Sequence, residues 1–328
     1  MQIGKLPRIR LANLPTPLEE MPRLSKVLGG PRLWIKRDDY TGLALGGNKV
    51  RKLEFVMADA INKGANVVIT TGDVQSNHAR ATAAAASKLG VKAVLVLYGE
   101  EPKECDGNLL LDHIFGADIR FVPDGVDVPA IMRDIAKELE SEGHTPYTIP
   151  SGASYPVGAV GYVNAALEML EQANDMGMEI NYVVHAVGSG GTQAGLVLGN
   201  KALNTKVRVV GISVGPRRDP LAKRTAEIAN GTSKMLSMDT TVNPDEILIM
   251  DDYVGEEHVT SAREVVNAIR LVARTEGILL DPEYTGVAMA GLIDLIKKGH
   301  FETQNNVVFI HTGGTPIIFA HKKELKGT

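Results

Sequence analysis

The chain alternates short apolar runs with longer stretches in which apolar residues recur at helical spacing. The runs rich in valine and isoleucine are 67–70, 93–98, 182–187, 207–213, 247–250 and 307–311. Because these runs are apolar at consecutive positions, we expect strands whose two faces are both buried. Amphipathic helices are predicted between several of them, for example at 128–143 and at 260–277, where Gly277 is a stop signal.

This alternation predicts an α/β fold with two doubly wound, mostly parallel open-sheet domains. Two domains are expected because 328 residues are more than one hydrophobic core usually serves. Ligands of open α/β sheets bind beyond the carboxyl ends of the strands. A functional site is therefore expected in the segments that follow the apolar runs.

Composition narrows the possible partners. The net charge of −4 and the pI of about 6.1 give no support for binding to nucleic acid or to an anionic membrane. No apolar run approaches the roughly 20 residues of a membrane span, and the start of the chain does not resemble a signal peptide. The histidines lack metal-ligand spacing, and Cys105 is the only cysteine. We expect a cytoplasmic protein without a structural metal.

The loop after 182–187 has the composition of an anion-binding turn before a helix. Its residues are Gly188, Ser189, Gly190, Gly191 and Thr192. Small residues allow backbone N–H groups to converge on an anion, and a helix N-terminus favours negative charge. The spacing fits neither the dinucleotide fingerprint nor a Walker loop. A single phosphate fits best; the alternative is a glycine-rich turn that only packs a strand against a helix.

A second polar loop follows the run at 67–70 and precedes an alanine-rich helix. It contains Ser76, Asn77 and His78. Ser76 or Asn77 alone would be explained as a helix N-cap. Three consecutive polar residues at the carboxyl end of a strand also predict a binding role, so both interpretations stay open.

Lys49 lies at the start of a predicted helix over 49–61, directly after Gly-Gly-Asn. On a helical wheel it falls within about 60° of the centre of the apolar stripe, whereas Lys52 lies at the flank and Arg51 points nearly opposite. Burial and the positive end of the helix dipole lower the pKa of such a lysine, which favours the neutral amine that Schiff-base chemistry needs. The alternative is that Lys49 extends to the surface.

Two further segments add weaker candidates. Tyr284 and Thr285 begin an amphipathic helix after a proline turn, and Thr312 lies in a glycine-rich turn after 307–311. A lysine, a single-phosphate loop and polar loops at strand ends together indicate pyridoxal 5'-phosphate, which has one aldehyde, one phosphate and one pyridine ring. A sugar-phosphate or nucleotide-phosphate binder is the alternative use of the glycine loop.

Seven motifs then add a family resemblance. They are PTPLE (15–19), IKRDD (35–39), GGNKVRKLEF (46–55), QSNHAR (75–80), GSGGTQAG (188–195), LDPEYTG (280–286) and HTGGTP (311–316). With these motifs the chain resembles the pyridoxal-phosphate enzymes of the tryptophan-synthase-β fold type. Within them it is similar to the family of D-cysteine desulfhydrase, L-cysteate sulfo-lyase and aminocyclopropane-carboxylate deaminase.

The resemblance implies the domain organisation and the cofactor contacts. Residues 1–54 and 164–328 would form a large cofactor-binding domain, 55–163 a small inserted domain, and the cofactor would lie in the cleft between them. Lys49 would form the Schiff base, with Lys52 as a neighbouring or surface cation. Asn77 would bond the 3-hydroxyl group of the cofactor, and the loop 188–192 would hold its phosphate. A homodimer is also implied.

The substrate contacts come from the same resemblance. A small amino acid is the implied substrate. Ser76 and His78 would face its carboxylate, Asn77 would also contact the substrate, and Tyr284 would face the reacting Cα. Lys49, Ser76 and Tyr284 are therefore the expected catalytic residues, with Lys49 taking the Cα proton from one face and Ser76 or Tyr284 from the other.

Two positions distinguish activities within the family. The deaminase branch has a glutamate after the tyrosine and a leucine in the last turn, whereas this chain has Thr285 and Thr312, as in the sulfur-eliminating branch. A neutral hydroxyl leaves the pyridine ring a weaker electron sink, which suffices when a β-substituent departs. We expect D-cysteine desulfhydrase activity, with L-cysteate sulfo-lyase as the alternative. Aminocyclopropane-carboxylate deaminase and a non-catalytic pyridoxal-phosphate-binding protein are further alternatives.

One segment departs from the family pattern. Relatives carry a second active-site tyrosine after the DDY motif, and 251–263 lacks it. Tyr253 or His258 are candidate substitutes. Arg217 and Arg218 are candidates to bind a sulfonate, against the alternative of a solvated surface pair.

Overall fold

The computed structural model describes residues 2–253 and 262–326, and in these ranges ten strands form two sheets. The strands are β1 (Leu18–Glu20), β2 (Arg32–Lys36), β3 (Val67–Asp73), β4 (Lys92–Tyr98), β5 (Asp118–Val122), β6 (Pro146–Thr148), β7 (Tyr182–Val187), β8 (Arg208–Ser213), β9 (Leu248–Met250) and β10 (Asn306–Ile310). The α-helices are α1 (Pro22–Leu28), α2 (Asn48–Asn62), α3 (Asn77–Leu89), α4 (Gly107–Ile114), α5 (Val128–Ser141), α6 (Pro156–Asp175), α7 (Gly191–Ala202), α8 (Arg218–Met235), α9 (Ala262–Glu276), α10 (Thr285–Lys297), α11 (Ile317–Ala320) and α12 (Lys322–Lys326). Of these helices, none has both the length and the apolar character that a bilayer crossing requires.

Both sheets are open and almost entirely parallel. The six-stranded sheet has the order β1-β2-β10-β7-β8-β9, and only the edge pair β1 and β2 is antiparallel. The four-stranded sheet has the order β5-β4-β3-β6 and is parallel throughout. The predicted fold class, two doubly wound α/β sheets, is confirmed.

Burial on both faces explains why the strands were visible as apolar runs. Val307 and Phe309 of β10 pack with α9 and α10, while Val308 and Ile310 pack on the other face with α6 and α7. In the small sheet, alternate residues of β3 face α5 on one side and α2 and α3 on the other. Helices therefore cover both faces of each sheet, as parallel sheets require.

The predicted elements are present with small shifts at their ends. All six apolar runs contain strands, and Gly277 follows the last residue of α9 with a left-handed φ of 71°. The sequence analysis did not predict β1, β2, β5 and β6. Their apolar runs are short or interrupted: β2 reads RLWIK, β5 reads DIRFV, and β1 and β6 have three residues each.

Two helices connect the two sheets. All strands of the four-stranded sheet lie between residues 55 and 163, and the six-stranded sheet takes its strands from both sides of that segment. The boundaries implied by the resemblance fall inside α2 and α6, which pack against each other. The division into 1–54 with 164–328 and 55–163 stays a prediction.

A buried cluster of charges fixes the first turn of α2. The Arg51 guanidinium binds the Asp38 carboxylate through Nη2 and Oδ1 at 2.8 Å, and its Nη1 binds Glu168 Oε2 of α6 at 2.9 Å. Lys36 Nζ binds the same Glu168 carboxylate at 2.6 Å. Arg51 and Lys36 are each 1% exposed. The face of α2 opposite the apolar stripe is therefore held by ion pairs rather than by solvent.

We expect Arg51→Met to lower the free energy of unfolding by about 3–5 kcal/mol, because it leaves buried carboxylates without their main cation. Urea denaturation of wild type and variant measures the difference. Lys63→Met is the matched control. The Lys63 side chain follows the last residue of α2, is 63% exposed and pairs with Asp59. Its substitution should change the free energy of unfolding by less than about 1 kcal/mol. Equal stability of the two variants would contradict this role for Arg51.

Candidate active site

A cavity of about 330 Å³ lies at the carboxyl ends of β3, β7 and β10, where the two sheets face each other. Ten of the twelve predicted site residues line it: Lys49, Ser76, Asn77, His78, Gly188, Ser189, Gly190, Thr192, Tyr284 and Thr312. Residues from α2, from both sheets and from the turn after β10 thus converge on one site. The cavity lies where the rule that ligands of open sheets bind beyond the strand ends predicts a site.

Two predicted site residues lie behind the cavity wall. The Gly191 N–H donates to Ser154 Oγ at 3.3 Å. Thr285 is fully buried, and its hydroxyl donates to the Asp281 carboxylate, which also accepts the Thr285 N–H at 3.0 Å. Because its hydroxyl is committed to Asp281, Thr285 does not face the cavity, whereas Thr312 does.

The structure also bears on the candidates for the second tyrosine and for a sulfonate-binding cation. Tyr253 donates its hydroxyl to Asp294 at 2.7 Å and packs in the core under the six-stranded sheet, so it does not replace the missing tyrosine. His258 lies outside the described residues. Arg217 and Arg218 are exposed and do not line the cavity, which favours the surface-pair interpretation. Arg224, six residues further on in α8, lines it instead.

The Lys49 amine is held by a strained turn. Gly46 and Gly47 have φ of 68° and 114°, and a Cβ at Gly46 would lie 1.9 Å from the Asp39 carbonyl oxygen. Arg80 of α3 donates to the Gly46 carbonyl at 3.1 Å. Lys49 Nζ donates to Asn48 Oδ1 at 3.0 Å. The glycine pair therefore serves close backbone approach, as its position before the helix suggested.

Burial and the Arg80 charge lower the pKa of Lys49 to about 8, although Asp73 and Asp281 act in the opposite direction. The side chain is half-buried and lines the cavity. An amine with this pKa is partly neutral near pH 7.5, and the neutral form is the nucleophile. The surface alternative for Lys49 is not what the structure shows.

Lys52 is a buried cation without a carboxylate partner in the described part of the chain. It is 1% exposed and donates only to the Gly152 carbonyl at 3.1 Å and to Ser154 Oγ at 3.3 Å. Burial, together with Lys49 and Arg224, lowers its pKa well below the ordinary value. The sequence analysis allowed a surface position for Lys52, and that alternative is wrong.

This cation faces the predicted phosphate loop. Ser154 Oγ lies 2.6 Å from Ser189 Oγ, and Gly190 caps α7 with a left-handed φ of 86°. A Cβ at Gly190 would lie 2.6 Å from Thr225 Oγ1, so the turn requires glycine. An unpaired buried lysine beside serine hydroxyls and a helix N-terminus fits a bound phosphate, whose charge would offset the cost of burying Lys52.

The other end of the cavity fits a pyridine ring with a 3-hydroxyl group. Asn77 Oδ1 accepts a hydrogen bond from the buried Asn108 side chain at 2.9 Å, which leaves the Asn77 NH₂ group to donate elsewhere. Asn48 Nδ2 donates to Thr192 Oγ1 at 3.1 Å and links the lysine turn to the phosphate loop. The residues present therefore fit pyridoxal phosphate at both ends.

The position of Ser76 is compatible with both of the roles that the sequence left open. Its Oγ accepts the Ala79 N–H at 3.2 Å as the N-cap of α3, and the residue lines the cavity. The His78 ring bonds Thr70 Oγ1 through Nε2 at 2.8 Å, and burial with the charges of Lys49 and Lys52 lowers its pKa well below the ordinary value. His78 is therefore neutral, and its ring is not a cation for a carboxylate. The hydroxyl of Ser76 and the free N–H groups of the first turn of α3 remain as anion donors.

Several cavity residues were not predicted. Asn48, Asp73, Tyr98 and Arg224 line the site beside the expected residues. Asp73 could have been found, because it is the last residue of β3 and the carboxyl ends of strands were already marked as the site. Arg224 carries no such signal, since it lies in the second turn of a largely polar helix.

The two open parallel sheets and the lysine opposite a phosphate turn define the class of pyridoxal-phosphate enzymes. The family model described as "Pyridoxal-phosphate dependent enzyme" matches residues 9–313. The chain therefore belongs to this family, and its cofactor is pyridoxal 5'-phosphate. The roles of the individual site residues stay predictions that the geometry supports.

Similar proteins carry two kinds of name. A protein of Pyrococcus abyssi named "Putative 1-aminocyclopropane-1-carboxylate deaminase" is 42% identical over 98% of this chain and 96% of its own length. D-cysteine desulfhydrase of Klebsiella pneumoniae is 41% identical over 98% of both chains. A crystal structure titled as an ACC deaminase homologue has a TM-score of 0.90 and 42% identity, and the match covers 99% of this chain and 97% of that chain. The predicted family group is confirmed, and the two activities are named at equal similarity.

The lowered pKa of Lys49 predicts an unusual pH dependence of its reactivity. In cofactor-free protein, we expect trinitrobenzenesulfonate to modify Lys49 with a midpoint near pH 8, because the reagent attacks the neutral amine that prevails above the pKa. Mass spectrometry of the digested protein measures the modified fraction at each pH, with the exposed Lys63 as internal reference. A midpoint above about pH 10, the ordinary range for lysine, would contradict this electrostatic environment.

Proposed function

We propose that this protein is a carbon–sulfur lyase that eliminates the β-substituent of a small sulfur-containing amino acid, foremost D-cysteine. The products are pyruvate, ammonia and sulfide, and one water molecule is consumed. Thr285 and Thr312 are the two candidate partners of the ring nitrogen. The observation that carries the proposal is that Thr312, which has a neutral hydroxyl, lines the cavity, whereas the Thr285 hydroxyl is bonded to Asp281.

The cofactor, when bound, supplies an electron sink that stabilises negative charge at Cα. A carboxylate would hold the ring nitrogen protonated and strengthen that sink, whereas the Thr312 hydroxyl does not. A weaker sink is adequate when the β-substituent leaves with its bonding electrons. Opening a cyclopropane ring needs a stronger one, so Thr312 favours β-elimination over the deaminase reaction.

The remaining steps are substrate binding and proton transfer, and they are assigned to Lys49, Ser76 and Tyr284. The hydroxyl of Ser76 and the N–H groups at the start of α3 hold the substrate carboxylate near Lys49. The Lys49 amine, with its pKa lowered to about 8, accepts the Cα proton on its own face of the substrate. Burial and nearby carboxylates raise the pKa of Tyr284 well above the ordinary value, so its phenol stays protonated and can donate a proton to the departing sulfur.

The deaminase is the second candidate function, because the Pyrococcus abyssi relative and the solved homologue carry that name. L-cysteate sulfo-lyase has less support, since Arg217 and Arg218 do not line the cavity. A non-catalytic pyridoxal-phosphate-binding protein would show cofactor binding without turnover. A homodimer is proposed from the family resemblance alone, and a cytoplasmic location from the composition of the chain.

The deciding experiment assays the holoenzyme on D-cysteine, L-cysteine, L-cysteate and 1-aminocyclopropane-1-carboxylate, with chromatography of the keto-acid product. We expect pyruvate and sulfide from D-cysteine, and we expect Lys49→Ala to reduce that rate by at least about 1,000-fold because the positioned base is lost. Lys63→Ala is the matched control and should retain the wild-type rate. α-Ketobutyrate from the cyclopropane substrate, with no pyruvate from any sulfur amino acid, would overturn the proposal in favour of the deaminase.

A further inference from the structure

One carboxylate in the cavity has no part in the chemistry described so far. Asp73 is the last residue of β3 and lines the cavity directly before the α3 cap. Its Oδ1 atom is buried and has no hydrogen-bond partner, and within residues 2–253 and 262–326 no lysine or arginine forms a salt bridge with it. A buried carboxylate oxygen without a hydrogen-bond partner is costly.

Other carboxylates around the site show what a structural role looks like here. The Asp281 carboxylate accepts the N–H groups of Glu283, Tyr284 and Thr285 and so caps α10. Asp38 is enclosed by Arg51. Asp73 caps no helix and pairs with no lysine or arginine in the described part of the chain. Its carboxylate interacts with the backbone N–H groups of Asp73 and Gln75 in the local turn, and its Oδ2 lies 3.5 Å from the Tyr284 hydroxyl. These local contacts leave the Asp73 side chain on the cavity wall.

The surroundings place Asp73 on the substrate side of the cavity. Tyr284 and Ser76, the two residues expected around the substrate, are its neighbours, and Lys49 is the cation that acts on it. At the phosphate end, the charges of Lys49 and Arg224 lower the pKa of the buried Lys52. The cavity thus has a cationic end for the phosphate and an acidic wall where a substrate side chain would lie.

Glu283 lies near Asp73 but does not line the cavity, and it contacts the His321 ring at 3.0 Å. Burial and the charge of Asp73 raise the pKa of Glu283 to about 7, and burial raises the pKa of Asp73 itself. Both shifts mean that additional negative charge is unfavourable in this part of the site. A ligand that brings a hydrogen-bond donor or a cation would relieve the unfavourable charge, and a ligand that brings an anion would increase it.

We propose that Asp73 selects the substrate by the charge of its β-substituent: it accepts a neutral donor such as a thiol, or an ammonium group, and rejects a sulfonate. This inference rests on the proposed function, because it assigns the substrate class of the same site. It places cysteine and 2,3-diaminopropionate among the ligands that bind and cysteate among those that do not. Like charges in a desolvated site disfavour binding by a large factor, here about 100-fold.

The test compares the binding of three amino acids that differ mainly at Cβ. The dissociation constants of 2,3-diaminopropionate, cysteine and cysteate, each as D and L forms, are measured on the holoenzyme by calorimetry and by the change in cofactor absorbance. We expect wild type to bind cysteate about 100-fold more weakly than the other two. In Asp73→Asn we expect the affinity for cysteate to increase at least about tenfold, while the affinity for cysteine changes by less than about threefold.

Controls separate charge selection from other effects. Asp134→Asn removes a carboxylate that is 76% exposed on α5 and should leave all three constants unchanged. Asp73→Ser is a second variant, for use if Asp73→Asn binds the cofactor poorly. It should also increase the affinity for cysteate. If Asp73 acts only on Tyr284, the variants change turnover but leave the ratio of the three constants intact, which would overturn the proposal.

Failure of the proposed function gives a different result. One outcome is that wild type binds cysteate more weakly than the other two amino acids, that this difference disappears in Asp73→Asn, and that no sulfur amino acid is turned over. This outcome would support the role of Asp73 and reject the lyase. Turnover of D-cysteine by a wild type that binds cysteate equally well would keep the lyase and reject the role of Asp73.

Discussion

Two lysines one helical turn apart at the start of α2 set the conditions for the rest of the site: Lys52 is buried, and Lys49 is half-buried on the cavity wall. Burial and the Arg80 charge lower the pKa of Lys49, and burial together with the charge of Lys49 lowers the pKa of Lys52. The fold maintains this unfavourable arrangement because Arg51, on the opposite face of the helix, is locked to Asp38 and Glu168. Lys49 consequently gives up its proton readily, and Lys52 requires an anion. A nucleophilic amine beside a phosphate cradle is the direct result.

The sequence could predict what depends on local pattern. Continuous apolar runs marked the parallel strands, because both faces of those strands are covered by helices. The turn at 188–192 and the cap at Ser76 were visible from small and polar residues at strand ends. The position of Lys49 on the buried side of α2 followed from helical periodicity. Each of these signals is contained in fewer than about 20 consecutive residues.

The remaining features depend on contacts between distant segments. Thr285 and Thr312 look equivalent in sequence. In the structure the Thr285 hydroxyl bonds Asp281, so that Thr285 does not face the cavity. Periodicity placed Lys52 at the flank of the apolar stripe, but its burial results from the 152–154 turn, about 100 residues away. The position of Asp73 at the end of β3 could be read from the sequence, but only the arrangement of its neighbours shows that no lysine or arginine in the described part of the chain pairs with it.

The central claim is that Lys49, and not its neighbour Lys52, is the amine that joins the cofactor covalently. Borohydride reduction of the holoenzyme followed by peptide mapping tests it most directly. The account predicts a pyridoxyl group on Lys49 alone, and a Lys49→Ala protein that still binds pyridoxal phosphate through Lys52 and the glycine turn but carries no label after reduction. A pyridoxyl group on Lys52 in the wild-type protein would contradict the division of roles between the two lysines.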